Sequence, residues 1–150
     1  MKRRLLALVT FLLIGTSSCV HTPIAVAPAS EQEQIPHPKF VAKDLSQQNA
    51  WPSYSQIRVY RLVDTCEVPN CPLMWHVVVS GDRSPREIIY GGLPSFGAMT
   101  IVAPHDLQRG ARYELRLDRA ENTPVTGEGA VRFEVDDEGK ITQIESLESQ

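Results

Sequence analysis

Residues 112–118 carry the clearest alternation of apolar and polar positions in the chain. One face of an extended segment here would present Tyr113, Leu115 and Leu117, because successive side chains of a strand point to opposite faces. The polar positions between them are Arg112, Glu114, Arg116 and Asp118. The pattern predicts a β-strand with one face buried in a core and the other face in water.

A second alternating segment, residues 130–145, predicts a β-hairpin. Its first half directs Val131, Phe133 and Val135 to one face, and residues 140–145 return as the partner strand. Between the two halves, residues 136–139 (DDEG) predict a turn in which Gly139 takes a positive φ.

The remaining apolar segments are short and predict further strands. Residues 73–80 (LMWHVVVS) are rich in β-branched side chains and are bounded by Pro72 and Gly81, which indicates a central, buried strand. Strands are also predicted within 57–63, 87–90 and 96–102. About seven short strands and no long helix predict an all-β fold, an antiparallel β-sandwich, since a parallel sheet needs long crossovers.

One local pattern resembles a known family. The spacing of Leu107, Gly110, Tyr113, Leu115 and Leu117 is similar to the tyrosine corner of fibronectin type III and immunoglobulin-like sandwiches. The resemblance implies an immunoglobulin-like sandwich in which the tyrosine hydroxyl bonds back to the preceding loop. An ordinary loop followed by an amphipathic strand is the alternative.

The first 18 residues have the three-part pattern of an export signal. Lys2, Arg3 and Arg4 precede an apolar run at residues 5–14, and Gly15 and small residues follow it. A bilayer-spanning helix needs about 20 apolar residues, so this run is too short to remain as a span. We expect residues 1–18 to be a signal peptide.

The end of this segment, Thr16-Ser17-Ser18-Cys19, resembles the signal peptide of bacterial lipoproteins. The resemblance implies cleavage before Cys19 and acylation of its thiol, which would anchor the chain to the membrane. Thr16 departs from the family, which usually has Leu, Val or Ile at that position. In these lipoproteins an Asp directly after the cysteine tends to retain the protein in the inner membrane. This chain has Val20 at that position, so the resemblance implies a location on the periplasmic face of the outer membrane. Cleavage at another small residue, with Cys19 incidental, is the alternative.

Residues 19–50 are predicted to be a flexible tether. Pro23, Pro28, Pro36 and Pro38 lie among Ala, Ser, Gln and Glu, a composition that favours extended chain without regular hydrogen bonds. Thirty such residues would span up to about 90 Å. The sandwich is accordingly predicted to occupy residues 51–150.

Charge narrows the range of partners. Without Lys2, Arg3 and Arg4, the 15 basic residues become 12 against 18 acidic ones, a net charge of −6 with neutral histidines. Nucleic acid is an unfavourable partner for such a chain, because phosphate binding needs a clustered basic surface. An acidic domain is also not attracted to anionic lipid, so membrane attachment has to come from the anchor.

Cys66 and Cys71 form an even pair once Cys19 is acylated. Export delivers them to an oxidising compartment, and the turn dipeptide Pro69-Asn70 between them favours a disulfide. A redox pair of the thioredoxin type would have two intervening residues rather than four. A zinc site would need two more ligands, and only His76 lies nearby in the sequence.

The sequence contains no Gly-x-Ser-x-Gly elbow, zinc-helix motif or phosphate-binding glycine loop, so we expect neither an enzyme nor a cofactor or bound metal. Trp51, Tyr54 and Tyr60 are candidate binding residues if they are exposed, while packing of Trp51 and Tyr54 against the end of the sandwich is the alternative.

The predicted function is that of an outer-membrane lipoprotein whose β-sandwich binds or scaffolds other envelope proteins. A free strand edge offers a means of binding by β-addition. An alternative is a periplasmic enzyme or metal-binding protein that uses His76 and His105, and it requires the two imidazoles to converge in one pocket. A third is a purely structural or adhesive role.

Overall fold

The computed structural model describes residues 20–21, 24–44, 52–80, 84–93, 97–119, 125–126 and 128–147. These residues form two antiparallel sheets and a two-residue pair, and none of them is helical. These ranges accordingly contain no apolar helix of the length that a membrane span requires. The predicted signal peptide and Cys19 lie outside them. The strands are β1 Val20–His21, β2 Ile24–Pro28, β3 Lys39–Asp44, β4 Gln56–Leu62, β5 Leu73–Val79, β6 Glu87–Ile89, β7 Ala98–Val102, β8 Arg112–Asp118, β9 Val125–Thr126, β10 Gly129–Val135 and β11 Ile141–Leu147.

The strand order confirms the predicted all-β sandwich. The larger sheet has the order β11-β10-β8-β4-β5-β7, and the smaller sheet has the order β2-β3-β6. This arrangement matches the A-B-E and G-F-C-C′ sheets of immunoglobulin-like sandwiches, with β7 and β11 added at the two ends of the larger sheet. The two sheets contain nine strands, and β1 pairs in parallel with β9 beside them.

One core fills the space between the sheets. The ring centroids of Phe40 on β3 and Phe133 on β10 lie 5.1 Å apart. Trp75 on β5 meets Tyr90, which follows β6, edge to face at 5.3 Å. The alternation predicted for β8 is confirmed on its apolar face, because Tyr113, Leu115 and Leu117 are fully buried.

The predicted tether is wrong for residues 24–44, which form two strands of the smaller sheet. Ile24 and Val26 on β2, and Phe40 and Ala42 on β3, are buried in the core. The prolines do not interrupt these strands: Pro28 ends β2, and β3 begins directly after Pro38, positions where a missing N–H is tolerated. The sandwich therefore begins at Ile24 rather than at residue 51.

The tyrosine corner is present. The hydroxyl of Tyr113 accepts a hydrogen bond from the backbone N–H of Gln108 at 2.8 Å. Leu107, which directly precedes Gln108, is buried, and Gly110 turns the chain with a φ of 71°. The corner fixes the loop at 103–111 against the start of β8.

The predicted hairpin is confirmed as β10 and β11. Their register pairs Val135 with Ile141 next to the turn, where Gly139 has a φ of 87°. A carboxylate oxygen of Asp136 accepts the backbone N–H groups of Glu138 at 3.1 Å and Lys140 at 2.7 Å. This Asx-type turn explains why the acidic tip closes so tightly.

Cys66 and Cys71 form a disulfide within the loop that joins the paired strands β4 and β5. Their Cα atoms are 5.1 Å apart. Closing so short a loop stabilises the fold by about 2 kcal/mol on the chain-entropy model.

Candidate functional site

Two of the three aromatic binding residues predicted at the start of the domain, Tyr54 and Tyr60, are not exposed. Tyr54 is buried; its hydroxyl donates a 2.6 Å hydrogen bond to the carbonyl oxygen of Pro85, and burial raises the pKa of that hydroxyl. Tyr60 is also buried, and its hydroxyl accepts a hydrogen bond from Arg58 at 3.3 Å. The prediction is therefore wrong for these two residues, which pack into the sandwich, and Trp51 lies outside the described residues.

The two histidines of the enzyme alternative have different surroundings. His76 lies on β5, where Nε2 is 3.1 Å from the side-chain oxygen of Gln56; desolvation first, and then the charge of Arg58, lower the pKa of its imidazole. His105 is exposed in the loop before β8, where its backbone N–H donates to the carbonyl oxygen of Met74 at 2.9 Å. Neither of the two cavities described below is lined by His76 or His105. Within the described part of the chain, no three His, Cys, Asp or Glu side chains are grouped so as to hold a metal ion.

The polar face of β8 is not fully in water, which corrects the prediction for Glu114. Glu114 has no exposed surface, and its carboxylate lies between two arginines. One oxygen accepts from Arg116 at 3.1 Å, and the other accepts from Arg132 on β10 at 3.0 Å. The hydrogen bond to Glu114 is the main reason that the pKa of Arg132 is raised.

This buried carboxylate is the centre of a five-residue charge network. Arg116 reaches outward to Glu128 at 3.3 Å, and Arg132 reaches Glu145 at 3.1 Å. Each arginine thus bridges Glu114 and one outer carboxylate. The charges are mutually satisfied, so we assign the network to stabilising the outer face of the larger sheet rather than to binding.

A different kind of surface lies near β7, at the end of the larger sheet opposite β11, where apolar rather than charged side chains are exposed. Four of the six exposed large apolar side chains among the described residues fall between 89 and 101. They are Ile89 (39% exposed), Leu93 (64%), Met99 (60%) and Ile101 (49%). We call this set the apolar edge. Isolated exposed apolar residues are ordinary, but such a concentration within one short segment of a small domain makes that segment a candidate contact surface.

The backbone of β7 completes the apolar edge. β7 is the last strand of the larger sheet and pairs only with β5 in the described structure, so its other side presents unpaired N–H and C=O groups. Its sequence, AMTIV, contains none of the charges or prolines that usually protect an exposed strand. A bulge opposite His76 places Ile101 as an additional residue on this strand.

The opposite end of the larger sheet is better protected. β11 is flanked by the 33–35 segment, since the backbone N–H of Ile141 donates to the carbonyl oxygen of Glu33 at 2.8 Å. Glu145 adds a charge to the same strand through its pair with Arg132. Strand addition is therefore favoured at β7 over β11.

The described surface of the sandwich includes a smaller and a larger cavity. One, of about 170 Å³, opens beside the apolar edge, with Trp75, Ile88 and Leu93 in its lining. The other, of about 440 Å³, lies between the end of β2 and the start of β11, where Glu31 and Lys140 contribute charged walls. Ile89 and Leu93 of the apolar edge line the smaller cavity, whereas Met99 and Ile101 do not.

The sequence indicated the residues of the apolar edge without indicating their role. Met99 and Ile101 fall inside the strand predicted at 96–102, for which the sequence pattern predicts neither burial nor exposure. Their exposure follows from the position of β7 at the end of the sheet. Strand order depends on pairing between distant segments, which a single sequence does not display.

Comparison with known proteins found no matching family, curated protein or solved structure. The apolar edge is therefore argued from this chain's own geometry.

Proposed function

We propose that this chain is an outer-membrane lipoprotein whose β-sandwich binds another protein of the cell envelope through the apolar edge. The observation that carries the proposal is the uncharged strand β7, which has a partner on one side only among the described residues and exposes Met99 and Ile101. The resemblance of residues 1–19 to a lipoprotein signal peptide supports the anchor at Cys19. The partner is expected to supply an extended segment with apolar side chains.

Binding would follow the mechanics of β-addition. The partner's backbone pairs with the open side of β7, while its apolar side chains cover Met99 and Ile101. Met99 and Ile101 are 60% and 49% exposed, so covering what remains of the two side chains contributes on the order of 2–3 kcal/mol before the entropy of association is subtracted. That is a modest gain, and confinement of both proteins to one membrane would raise their effective concentration and compensate for it.

The alternative of an enzyme or metal-binding protein is not favoured by any described observation. His76 is engaged with Gln56, and His105 is exposed in a different chain segment. We therefore keep protein binding as the single proposed activity.

The anchor is tested by the intact mass of protein purified from membranes. We expect a chain that starts at Cys19 and carries acyl chains, and release of the Cys19→Ala variant into the soluble fraction. Reduction should add the mass of two hydrogens as the disulfide between Cys66 and Cys71 opens. A chain without acyl mass, cleaved at another residue, would refute the anchor.

The role of the apolar edge in binding is tested with two matched substitutions. Ile101→Lys places a charge on β7, and Ile144→Lys places the same charge on β11, where the isoleucine is equally exposed (49% and 50%). A photo-reactive amino acid at position 99 first captures the partner in intact cells, and its affinity is then measured with purified proteins. We expect Ile101→Lys to weaken binding at least about tenfold, roughly 1.4 kcal/mol, while Ile144→Lys has little effect. Equal affinities of the two variants would refute the assignment of the edge.

A further inference from the structure

The fold begins very close to the proposed anchor. Ile24, the first residue of β2, is buried, and its N–H donates to the carbonyl oxygen of Glu128 at 3.3 Å. Gly129 packs so tightly here that an added Cβ would lie 2.6 Å from the carbonyl oxygen of Ile24. Only five residue steps separate Cys19 from Ile24, a reach of at most about 18 Å.

The chain between them is also paired with the domain. β1 places Val20 opposite Val125 and His21 opposite Thr126 on β9. The residue next to Cys19 is therefore already paired with β9, and only five residue steps, rather than a long spacer, lie between Cys19 and the first strand of the smaller sheet.

These contacts define two ends of the sandwich. The end that we call the anchor end contains the starts of β2 and β10 and the ends of β3 and β8, as the register of Ile24 with Asp44 and of Gly129 with Leu117 requires. The far end contains four connections, at residues 29–38, 63–72, 103–111 and 136–140. Strands of about seven residues separate the two ends by about 23 Å.

Charge is distributed unequally between the two ends. The four far-end connections carry eight acidic and two basic residues, a net charge of −6, which equals the net charge of the whole chain from residue 19 onward. The rest of the domain is therefore balanced. The acidic residues of the far end are Glu31, Glu33, Asp64, Glu67, Asp106, Asp136, Asp137 and Glu138, and the basic ones are Arg109 and Lys140.

We infer that the sandwich stands upright on the bilayer, with the anchor end against the lipid headgroups and the acidic far end directed away from them. This inference rests on the proposed anchor at Cys19. A reach of about 18 Å keeps the anchor end at the surface. Anionic lipid repels the far end within a Debye length of about 8 Å. A domain that tips over brings its acidic end into this range, so the tipped orientation is higher in energy than the upright one.

The test compares the distances of two labelled positions from the membrane. Glu128→Cys labels the anchor end and Glu138→Cys labels the far end; both residues are exposed, and they lie at opposite ends of β10. Each variant, purified with its acyl chains, carries a fluorophore and is placed in vesicles containing anionic lipid and a headgroup-attached quencher. We expect quenching to be several-fold stronger at position 128 than at position 138.

A spacer variant provides the control. Inserting about 20 Gly and Ser residues after Thr22 creates a flexible coil with a root-mean-square length of about 25 Å, which should bring the two quenching values close together. Equal quenching at the two positions without the spacer would overturn the upright arrangement.

The intact mass of the protein distinguishes a missing anchor from a wrong orientation. If Cys19 carries no acyl chains, the proposed function fails, and the same labelled variants are then held on nickel-chelating vesicles through a hexahistidine segment placed directly before Val20. Stronger quenching at position 128 would still support the geometry, and equal quenching would overturn it.

Discussion

Replacing Phe40 by Ala tests most directly whether residues 24–44 belong to the folded core or form a tether. Phe40 lies within the segment whose proline content indicates a tether, yet its side chain is fully buried and its ring meets that of Phe133 at 5.1 Å. Truncating a buried phenylalanine costs about 3–5 kcal/mol, because transfer free energy is lost and a cavity remains. A domain of this size is stable by only about 5–15 kcal/mol, so the loss is a large fraction of the total.

The measurement is urea unfolding at equilibrium, followed by circular dichroism, on protein that starts at Cys19. Lys43→Ala is the matched control, since Lys43 lies on the same strand but is exposed, and a surface change of this kind should alter the free energy of unfolding by at most about 0.5 kcal/mol. A loss below about 1 kcal/mol for Phe40→Ala would show that β3 is not part of the cooperative core and would refute the fold boundary at Ile24.

Three further predictions follow from local features. Tyr113→Phe removes the acceptor for the N–H of Gln108 and should lower the free energy of unfolding by about 1 kcal/mol in the same urea assay, with an unchanged value contradicting the tyrosine corner. Replacing Cys66 and Cys71 together by Ala should cost about 2 kcal/mol, and a variant as stable as the parent would contradict the stabilising role of the disulfide. Because the pKa of His76 is lowered in the folded state, its contribution to stability is complete above about pH 6.5 and declines as the pH falls toward the folded pKa. His76→Gln should therefore lose less stability than the parent between about pH 7.5 and pH 5.5, and parallel profiles would exclude the effect.

The features that the sequence predicted correctly are local in the chain. The alternation around Tyr113, the turn at Gly139 and the disulfide between Cys66 and Cys71 each depend on residues close to one another. Alternate side chains of a strand point to opposite faces, so apolar residues at every second position show which face of the strand packs against the core.

One feature that the sequence analysis missed had a local signal, and another depends on a distant segment. The alternation of Ile24 with Val26, and of Phe40 with Ala42, was a strand signal, but the surrounding prolines indicated extended chain, and extended chain is also the conformation of a strand. The burial of Glu114 depends equally on distance in the chain, because one of its two arginines belongs to a neighbouring strand that begins eleven residues after β8 ends. Nothing in the residues around Glu114 reveals that contact.

The position of β4 at the centre of the larger sheet imposes an order on folding. β4 can pair early with β5, to which it is joined by a short loop, but its second partner is β8, which ends at Asp118. Pairing of such distant strands is slow, because the entropy of loop closure is lost before the contacts compensate for it. In a chain that emerges from its N-terminus, β4 therefore lacks one of its two neighbours, and the larger sheet stays incomplete, until residue 118 has emerged.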